Sequence, residues 1–255
     1  MIHFFPVARN AGTILKLGNF CIHCDPHTLE TPFFHDFAAD PDYFFDRGEQ
    51  MRSAWKSRII DKAKVRMGGQ SFFIKRYNCL GKIYKLKNLA RKSKALKAWL
   101  AGRQLLQSGI STPNPVICME EYRFGLLERS YLCCDFIQGA HNLLELWPEL
   151  DHEERMRLLG LAGLETGNLH RRGCLHGDLN WRNVLVRGKD RSGKIFLVDL
   201  DGCRFSRHLG EKSALRDLRH FYRDLERSHA SAVYIDHFTD SWYKTYHQGN
   251  PPPGK

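Results

Sequence analysis

The sequence predicts an α+β protein with two lobes, because strand-type patterns dominate its first part and helix-type patterns its second. Early in the chain, apolar and polar residues alternate at the two-residue period of half-buried strands. After a break at Gln138-Gly139, apolar residues recur at the three- and four-residue steps of helix faces. A chain of 255 residues is long enough for both lobes. We therefore predict a β-rich N-terminal lobe over 1–137 and a small, mainly helical C-terminal lobe over 138–255.

Three extended segments open the N-terminal lobe, at residues 13–17, 57–60 and 71–77. Gly68-Gly69 separates the last two and predicts a hairpin turn, because glycine adopts a positive φ without steric cost. Residues 1–50 form an N-terminal extension to which the sequence assigns no role.

One helix interrupts these strands. Apolar residues at three- and four-residue steps predict it over residues 86–107, and Gly109 and the prolines that follow end it. Strand patterns resume at 115–119 and 131–137.

The C-terminal lobe shows two amphipathic helices. Asp151 is a suitable N-cap for the first, which runs to Arg172 and is closed by Gly173. Residues 211–228 form the second. The proline-rich end of the chain, 251–254, is expected to be loose.

The most informative run of the chain, His176 to Val186, lies between these helices. Asp178 precedes Asn183 by five residues, and Asp199 follows sixteen residues later, after the apolar run 195–198. In protein kinases an Asp and an Asn at this spacing form the catalytic loop, and a later Asp holds a metal ion. The order of strands, helices and loop is also that of a two-lobed protein-kinase-like fold.

These residue types suit phosphoryl transfer, which needs a positioned hydroxyl and a neutralised phosphate charge. We predict Asp178 as the catalytic residue that orients the acceptor hydroxyl and takes its proton. Asn183 and Asp199 offer hard oxygen ligands for Mg²⁺. Lys75, near the end of a strand, would bind the phosphates of ATP as a point charge. Each residue alone has an ordinary structural explanation, but the four together in this order favour the kinase interpretation.

Three neighbouring residues leave alternatives open. Asp201 either shares the metal ion with Asp199 or only ends the strand. His176 is expected to be a packed support for the loop, and a role as a base is the alternative. Arg182 either meets the transferred phosphate or faces solvent.

The formal net charge of +11 predicts an anionic partner, which charge alone does not identify. No apolar run has the length of a membrane-spanning helix, and the first residues do not resemble a signal peptide. The eight cysteines lie mostly within apolar runs, which indicates buried, reduced thiols. Cys21, Cys24 and His27 are weak metal candidates, because no second cysteine pair lies near them.

Several runs resemble those of the bacterial lipopolysaccharide core sugar kinases, the Kdo (3-deoxy-D-manno-octulosonic acid) and heptose kinase family. They are residues 176–180, Asn183, residues 197–201 and residues 109–113. The Asp-Leu-Asn form and the basic helix around Asp217 are closer to the Kdo branch. The resemblance, over roughly residues 57–228, implies ATP- and Mg-dependent phosphorylation of a sugar hydroxyl on lipid A-core. It also implies a cytoplasmic protein that is peripherally associated with the inner membrane.

Two further features agree with a glycolipid acceptor. The C-terminal lobe leaves little room for the helical platform on which protein kinases bind peptides. Residues 75–119 contain ten Lys and Arg residues and no acid, which suits an anionic membrane surface or glycolipid. Aromatic residues are not interleaved with these cations as base-stacking platforms require, so no nucleic acid is expected.

The same acid-free stretch lacks the glutamate that kinases place on the helix after the strand lysine. Ala98 occupies the corresponding position, and Glu120 and Glu121 are the candidate substitutes. The segment 46–49 contains a single glycine, so no phosphate-covering loop is identified. Two alternatives therefore remain: a pseudokinase-type binding module at the membrane, and an atypical small protein kinase.

Overall fold

The computed structural model describes residues 3–6, 12–51, 59–81, 85, 91–188 and 193–248. They form two compact units, the first of residues 1–103 and 113–136 and the second of residues 104–112 and 137–255. The first unit is built on a large sheet and the second is mainly helical. The predicted α+β class is therefore confirmed.

An eight-stranded antiparallel sheet forms the first unit. Its strands lie in the order β1-β2-β3-β7-β8-β6-β5-β4. Their bounds are β1 His3–Pro6, β2 Thr13–Leu17, β3 Phe20–Cys24, β4 Glu49–Gln50, β5 Ile60–Met67, β6 Gln70–Asn78, β7 Pro115–Arg123 and β8 Leu126–Asp135.

Two tight hairpins fix the register of this sheet. Gly68 and Gly69, at φ of 55° and 81°, join β5 to β6, with Met67 paired to Gln70. This confirms the predicted turn, because both central positions require a positive φ. A second two-residue turn, Phe124-Gly125, joins β7 to β8. The predicted strand 115–119 lies within β7, and the predicted strand 131–137 belongs to β8 as far as Asp135.

The described residues among the first fifty contribute to the core of the first unit. Helices α1 (Pro32–Ala39) and α2 (Pro41–Arg47) bury Phe34, Phe37 and Phe45 against the sheet. Asp42 of α2 accepts hydrogen bonds from Arg76 on β6 and Tyr131 on β8, both at 2.9 Å, and it also pairs with Arg129. The extension therefore extends the sheet and covers it.

Helix α3 (Lys94–Gln107) is the helix predicted over 86–107. It begins at Ser93, whose hydroxyl accepts from the Leu96 amide at 3.0 Å, and residues 86–90 lie outside the described residues. It ends as predicted at Gly109, which has a φ of 78°. There the Ile110 amide donates to the Leu105 carbonyl at 2.9 Å, the C-terminal pattern that a left-handed glycine permits.

Five helices and two small sheets make up the described part of the second unit. The helices are α4 Leu143–Leu146, α5 His152–Arg171, α6 Glu211–Asp217, α7 Arg219–Arg227 and α8 Ala232–Tyr246. The sheets are β9 (Ala140–Asn142) with β11 (Val184–Arg187) and β12 (Lys194–Leu197), and β10 (Cys174–Leu175) with β13 (Arg204–Phe205). Asp151 caps α5 as predicted, in a reciprocal pair with Glu154. The single helix predicted over 211–228 is two helices that meet at Leu218.

Helix α8 was not predicted, although it is central to the second unit. It packs closely on α5, where a side chain at Gly163 would come within 2.6 Å of the Phe238 carbonyl oxygen. At Gly167 a Cβ would lie 2.8 Å from the Trp242 carbonyl oxygen. Glycines on α5 thus let the two helix backbones approach more closely than other residues allow.

The cysteines and the helix lengths bear on two further predictions. All eight cysteines are free thiols, as their sequence setting predicts. Cys21 and Cys24 lie three residues apart on β3 and therefore on opposite faces of the sheet, so they do not form one metal site. Among the residues described, no helix combines the length and apolar character needed to cross a bilayer.

Candidate active site

The loop between β10 and β11 brings Asp178 and Asn183 together. The side-chain amide of Asn183 donates to the Asp178 carbonyl at 2.8 Å and lies 3.4 Å from its carboxylate. Asn180 caps the short turn Trp181–Asn183 that makes this contact. Gly177, with a φ of 86°, lets the loop pass Gly202, whose carbonyl oxygen would lie 2.6 Å from a Cβ at Gly177.

The Asp178 carboxylate is accessible and oriented by a second side chain. It is 54% exposed, and its Oδ1 atom lies 2.9 Å from Nδ1 of His220 on α7. His220 was not identified from the sequence, because the two residues lie 42 positions apart. Together, His220 and Asn183 hold an exposed carboxylate in one orientation, as a residue that receives a proton requires. Arg182, in the same loop, is exposed.

His176 supports the loop from below. It is fully buried, and its Nε2 atom lies 3.0 Å from the Val198 carbonyl oxygen, so Nε2 carries the proton. Burial lowers the pKa of His176, and this effect outweighs the nearby carboxylates of Asp217, Asp199 and Asp178. A neutral, buried imidazole of this kind confirms the prediction of a packed support.

Asp199 lies at the end of β12 next to the same loop. The amide of Val198, the preceding residue, donates to the Asn183 carbonyl at 3.0 Å. Asp199 itself adopts a left-handed conformation, with φ of 67° and ψ of 57°, which aspartate tolerates better than most residues. The predicted residues Asp178, Asn183 and Asp199 therefore lie at one end of the second unit. Asp201 follows on the turn Leu200–Gly202.

A carboxylate that sequence reasoning did not identify, Asp217 at the end of α6, fixes the backbone of this loop. Its Oδ2 atom accepts from the His176 amide at 2.6 Å and its Oδ1 atom accepts from the Gly177 amide at 2.8 Å. Burial would raise the pKa of Asp217, but the hydrogen bonds from His170, Gly177 and His176 outweigh it and lower the pKa. The loop thus begins on an ionised, buried anchor.

His170 of α5 connects this anchor to α8. Its Nε2 atom lies 3.1 Å from Oδ2 of Asp217, and its Nδ1 atom accepts from the indole N–H of Trp242 at 2.9 Å. Since indole only donates, Nδ1 carries no proton and Nε2 does. His170 is therefore neutral, and one tautomer links α8, α5, α6 and the loop.

Lys75 lies in the first unit on β6, where it is only 4% exposed. Its ammonium group is 5.1 Å from the centroid of the Tyr77 ring. The candidate substitutes for the missing helix glutamate each contact another basic residue. Glu120 lies 3.5 Å from Nε2 of His23, and Glu121 lies 3.1 Å from Nε of Arg129.

The pair of Glu120 and His23 is charged. Burial lowers the pKa of His23, but hydrogen bonds with Cys21 and Glu120 outweigh it and raise the pKa to about 9. Burial raises the pKa of Glu120, and hydrogen bonds from His23 and Ser93 outweigh it and lower the pKa. Glu120 is thus an ionised carboxylate within the first unit.

The oxygen atoms of the loop suit a hard divalent cation. The hydrogen bond from Nδ2 of Asn183 fixes its amide, and Oδ1 accepts no hydrogen bond from any described residue. An amide oxygen and a carboxylate, here those of Asn183 and Asp199, are donor types that Mg²⁺ prefers. These residues therefore fit the predicted metal.

Comparison with a solved structure and with a curated protein sequence identifies the fold. The structure titled "WaaP in complex with acyl carrier protein" superposes with a TM-score of 0.62 at 17% identity, over 84% of this chain and 86% of that chain. The KEOPS complex subunit Bud32 of Pyrococcus abyssi is 28% identical over 47% of this chain and 44% of its own length. These similarities confirm the predicted kinase-like fold.

The family follows from the sequence match. The model of the "Lipopolysaccharide kinase (Kdo/WaaP) family" matches residues 50–242, so the chain belongs to this family, as its motifs predict. A 3-deoxy-D-manno-octulosonic acid kinase of Vibrio parahaemolyticus is 30% identical over 48% of this chain and 49% of its own length. The enzyme of the same name from Pasteurella multocida is 29% identical over similar shares. The chain thus spans about half the length of the curated relatives that it matches.

Proposed function

We propose that the protein is an ATP- and Mg-dependent kinase that phosphorylates a hydroxyl of Kdo or heptose in the lipopolysaccharide inner core. The observation that carries the proposal is the convergence of Asp178, Asn183 and Asp199 at one end of the second unit. Membership of the Kdo/WaaP family supports a sugar as the acceptor.

In this proposal Asp178 binds the acceptor hydroxyl, orients it and receives its proton. His220 keeps the carboxylate in position through the 2.9 Å hydrogen bond. His176 takes no proton from the substrate, because it is buried and has a lowered pKa. Its contact with Val198 instead fixes the loop relative to the end of β12.

The nucleotide and metal would be bound by three further residues. Asn183 and Asp199 are the proposed Mg²⁺ ligands, and Lys75 of the first unit is proposed to bind the nucleotide phosphates. When bound, Mg²⁺ would neutralise the charge that develops on the phosphates. In this proposal the N-terminal lobe, residues 1–137, binds the nucleotide phosphates, and the C-terminal lobe, residues 138–255, carries the catalytic residue.

We further propose a cytoplasmic protein that associates peripherally with the inner membrane. Its support is the net charge of +11 and an acceptor that is itself lipid-linked. Vesicle sedimentation tests this, since binding to anionic vesicles weakens as salt rises.

A transfer assay tests the proposed reaction. Purified protein with γ-labelled ATP, Mg²⁺ and a lipid A-core that lacks phosphate on its core sugars is expected to label the glycolipid. Asp178→Asn is expected to reduce the rate by at least about 100-fold, while Asp151→Asn, at a helix cap remote in sequence, retains it. An absence of labelling by a folded, nucleotide-binding protein would refute the proposal. GTP and a protein substrate, assayed in parallel, test the donor and the protein-kinase alternative.

The acid-free helix α3 favours a second candidate, a pseudokinase-type binding module at the membrane. Kinases use a glutamate at this position, and Ala98 is buried there instead. Such a module would be stabilised thermally by nucleotide or glycolipid and would not label the acceptor. The transfer assay therefore separates the two functions.

A further inference from the structure

A stripe of four cations follows one side of α6 and α7. They are Lys212, Arg216, Arg219 and Arg223, which recur at four-, three- and four-residue steps and are all exposed. Residues of the opposite side, such as Leu218 and Phe221, are fully buried. Positions at these steps lie next to one another within a helix, and all four cations line the same groove across the junction at Leu218.

The stripe lines an open groove with a volume of about 640 Å³. Leu215, which is 40% exposed, and Tyr222 give the groove an apolar part. Glu226, at one end, is the acidic residue of its lining. A groove that combines cations with apolar surface suits a ligand that is both anionic and amphipathic.

The cations of the stripe are not neutralised within the part of the chain that the structure describes. No carboxylate lies within ion-pair distance of any of the four there, whereas Arg76 and Arg129 of the first unit pair with Asp42. Like charges one helical turn apart repel each other. A bound anion would remove this repulsion.

The position of the stripe connects it to the candidate active site. His220, which contacts Asp178 at 2.9 Å, lies four residues after Arg216 and three before Arg223. These arginines therefore flank the residue that orients the proposed catalytic carboxylate. A ligand bound along the stripe would therefore lie near the contact between His220 and Asp178.

We propose that this groove is the acceptor site and that it binds the anionic groups of the glycolipid. The inference rests on the proposed function and adds to it the groups that are recognised. Arginine forms paired hydrogen bonds to phosphate and to carboxylate alike. Both sources exist in such an acceptor, since lipid A carries phosphates and Kdo carries a carboxylate.

The test is a double variant, Arg216→Gln with Arg223→Gln, which removes two charges and keeps long helix-forming side chains. The KM for Kdo-lipid A is expected to rise by about 10- to 100-fold, the usual effect of losing charged hydrogen bonds. The KM for ATP is expected to change less than about twofold, because the groove binds only the acceptor. The matched control is Arg66→Gln with Lys244→Gln, two exposed cations elsewhere, which is expected to leave both constants unchanged.

Three acceptors distinguish the sources of the anion. If lipid A phosphates bind, dephosphorylated Kdo-lipid A shows the raised KM with wild type and no further rise with the double variant. If the Kdo carboxylate binds, the carboxyl-reduced acceptor shows the raised KM with wild type and no further rise with the double variant. An unchanged KM in the double variant, or an equal rise in the control, would overturn the inference.

A binding measurement keeps the inference separate from the proposed reaction. Sedimentation with neutral vesicles that contain Kdo-lipid A is expected to show binding by wild type and about 10-fold weaker binding by the double variant. The same vesicles with phosphatidylglycerol in place of the glycolipid are expected to bind both proteins equally. A wild type that binds but transfers no phosphate would refute the proposed kinase activity alone, and equal loss on both vesicle types would refute the acceptor site.

Discussion

Each unit contains a buried pair of a histidine and a carboxylate, but the two pairs differ in charge. In the first unit, the raised pKa of His23 makes the contact with Glu120 an ion pair. In the second, the indole of Trp242 donates to His170 and keeps it neutral, so Asp217 is the charged member. The same residue types thus give two different local charge states.

The difference lies in what else the carboxylate binds. The charge of Glu120 is balanced by His23, and the pair stabilises the contact between β3 and β7. The charge of Asp217 is balanced by the amides of His176 and Gly177. A neutral histidine leaves the charge of the carboxylate available to bind the backbone amides of the candidate-site loop, whereas a protonated histidine balances that charge itself.

Among the variants that test this difference, Asp217→Asn is expected to cause the largest losses of stability and activity. The asparagine amide would face a backbone N–H, so the free energy of unfolding is expected to fall by about 2–4 kcal/mol. The rate of phosphate transfer is expected to fall by about 100-fold, because the loop loses its anchor. Urea unfolding and the transfer assay measure the two effects.

Glu120→Gln is the matched control for that variant. It removes the other carboxylate of the comparison at a cost of about 1–3 kcal/mol and is expected to leave transfer within about fivefold of wild type. Equal losses of activity in the two variants would contradict the distinction between a structural pair and a loop anchor.

The next largest expected effect is on the pH dependence of stability, which differs between the two histidine–carboxylate pairs. His23 has a folded pKa of about 9 and an ordinary value of 6.5, so its contribution is complete below pH 6.5 and is lost as the pH rises through 9. The maximum is about 3 kcal/mol. Asp217 has a lowered pKa, so its contribution is present at neutral pH and is lost in acid.

Urea unfolding of wild type and His23→Gln across this range measures the first contribution. The difference in free energy of unfolding between the two proteins is expected to shrink as the pH rises from 6.5 to 9. A difference that stays constant from pH 6.5 to 9 would show that His23 is not charged in the folded protein.

Trp242→Phe is expected to have the smallest effect and sharpens the assignment of the His170 tautomer. It removes the donor to Nδ1, and the lost hydrogen bond is worth about 1 kcal/mol. Trp99→Phe is the control, because the Trp99 indole is buried and donates to no described residue. Thermal unfolding of both variants isolates the hydrogen bond, and equal losses would argue against the neutral tautomer.

Local chemistry explains which parts of the fold were predictable. The Gly68-Gly69 turn, the Asp151 cap and the end of α3 at Gly109 each depend on a few adjacent residues. Helix α8 was missed although Tyr234, Phe238 and Trp242 recur every four residues and are buried. Their rings contact Trp147, Phe221 and His170, which lie 17 to 87 residues away along the chain, so no local pattern pairs the two surfaces.

The same distinction applies to the candidate site. Asp178, Asn183 and Asp199 were recognised because their spacing along the chain is itself the signal. Asp217 and His220 lie about forty residues from the loop, and only the folding of α6 and α7 against it creates their contacts. Their neighbours in the sequence are basic, which indicates an exposed helix and gives no sign that the Asp217 carboxylate is buried.

The position of β3 has a practical consequence for proteolysis. It pairs along β7 from Cys24 opposite Ile117 to Phe20 opposite Glu121, so the amides of β7 are satisfied on that side. A chain cleaved after Cys24 that lost β3 would expose those amides as a free sheet edge, and such edges recruit strands from other molecules. We expect the clipped protein to self-associate while the intact chain stays dispersed, which light scattering during limited digestion would reveal.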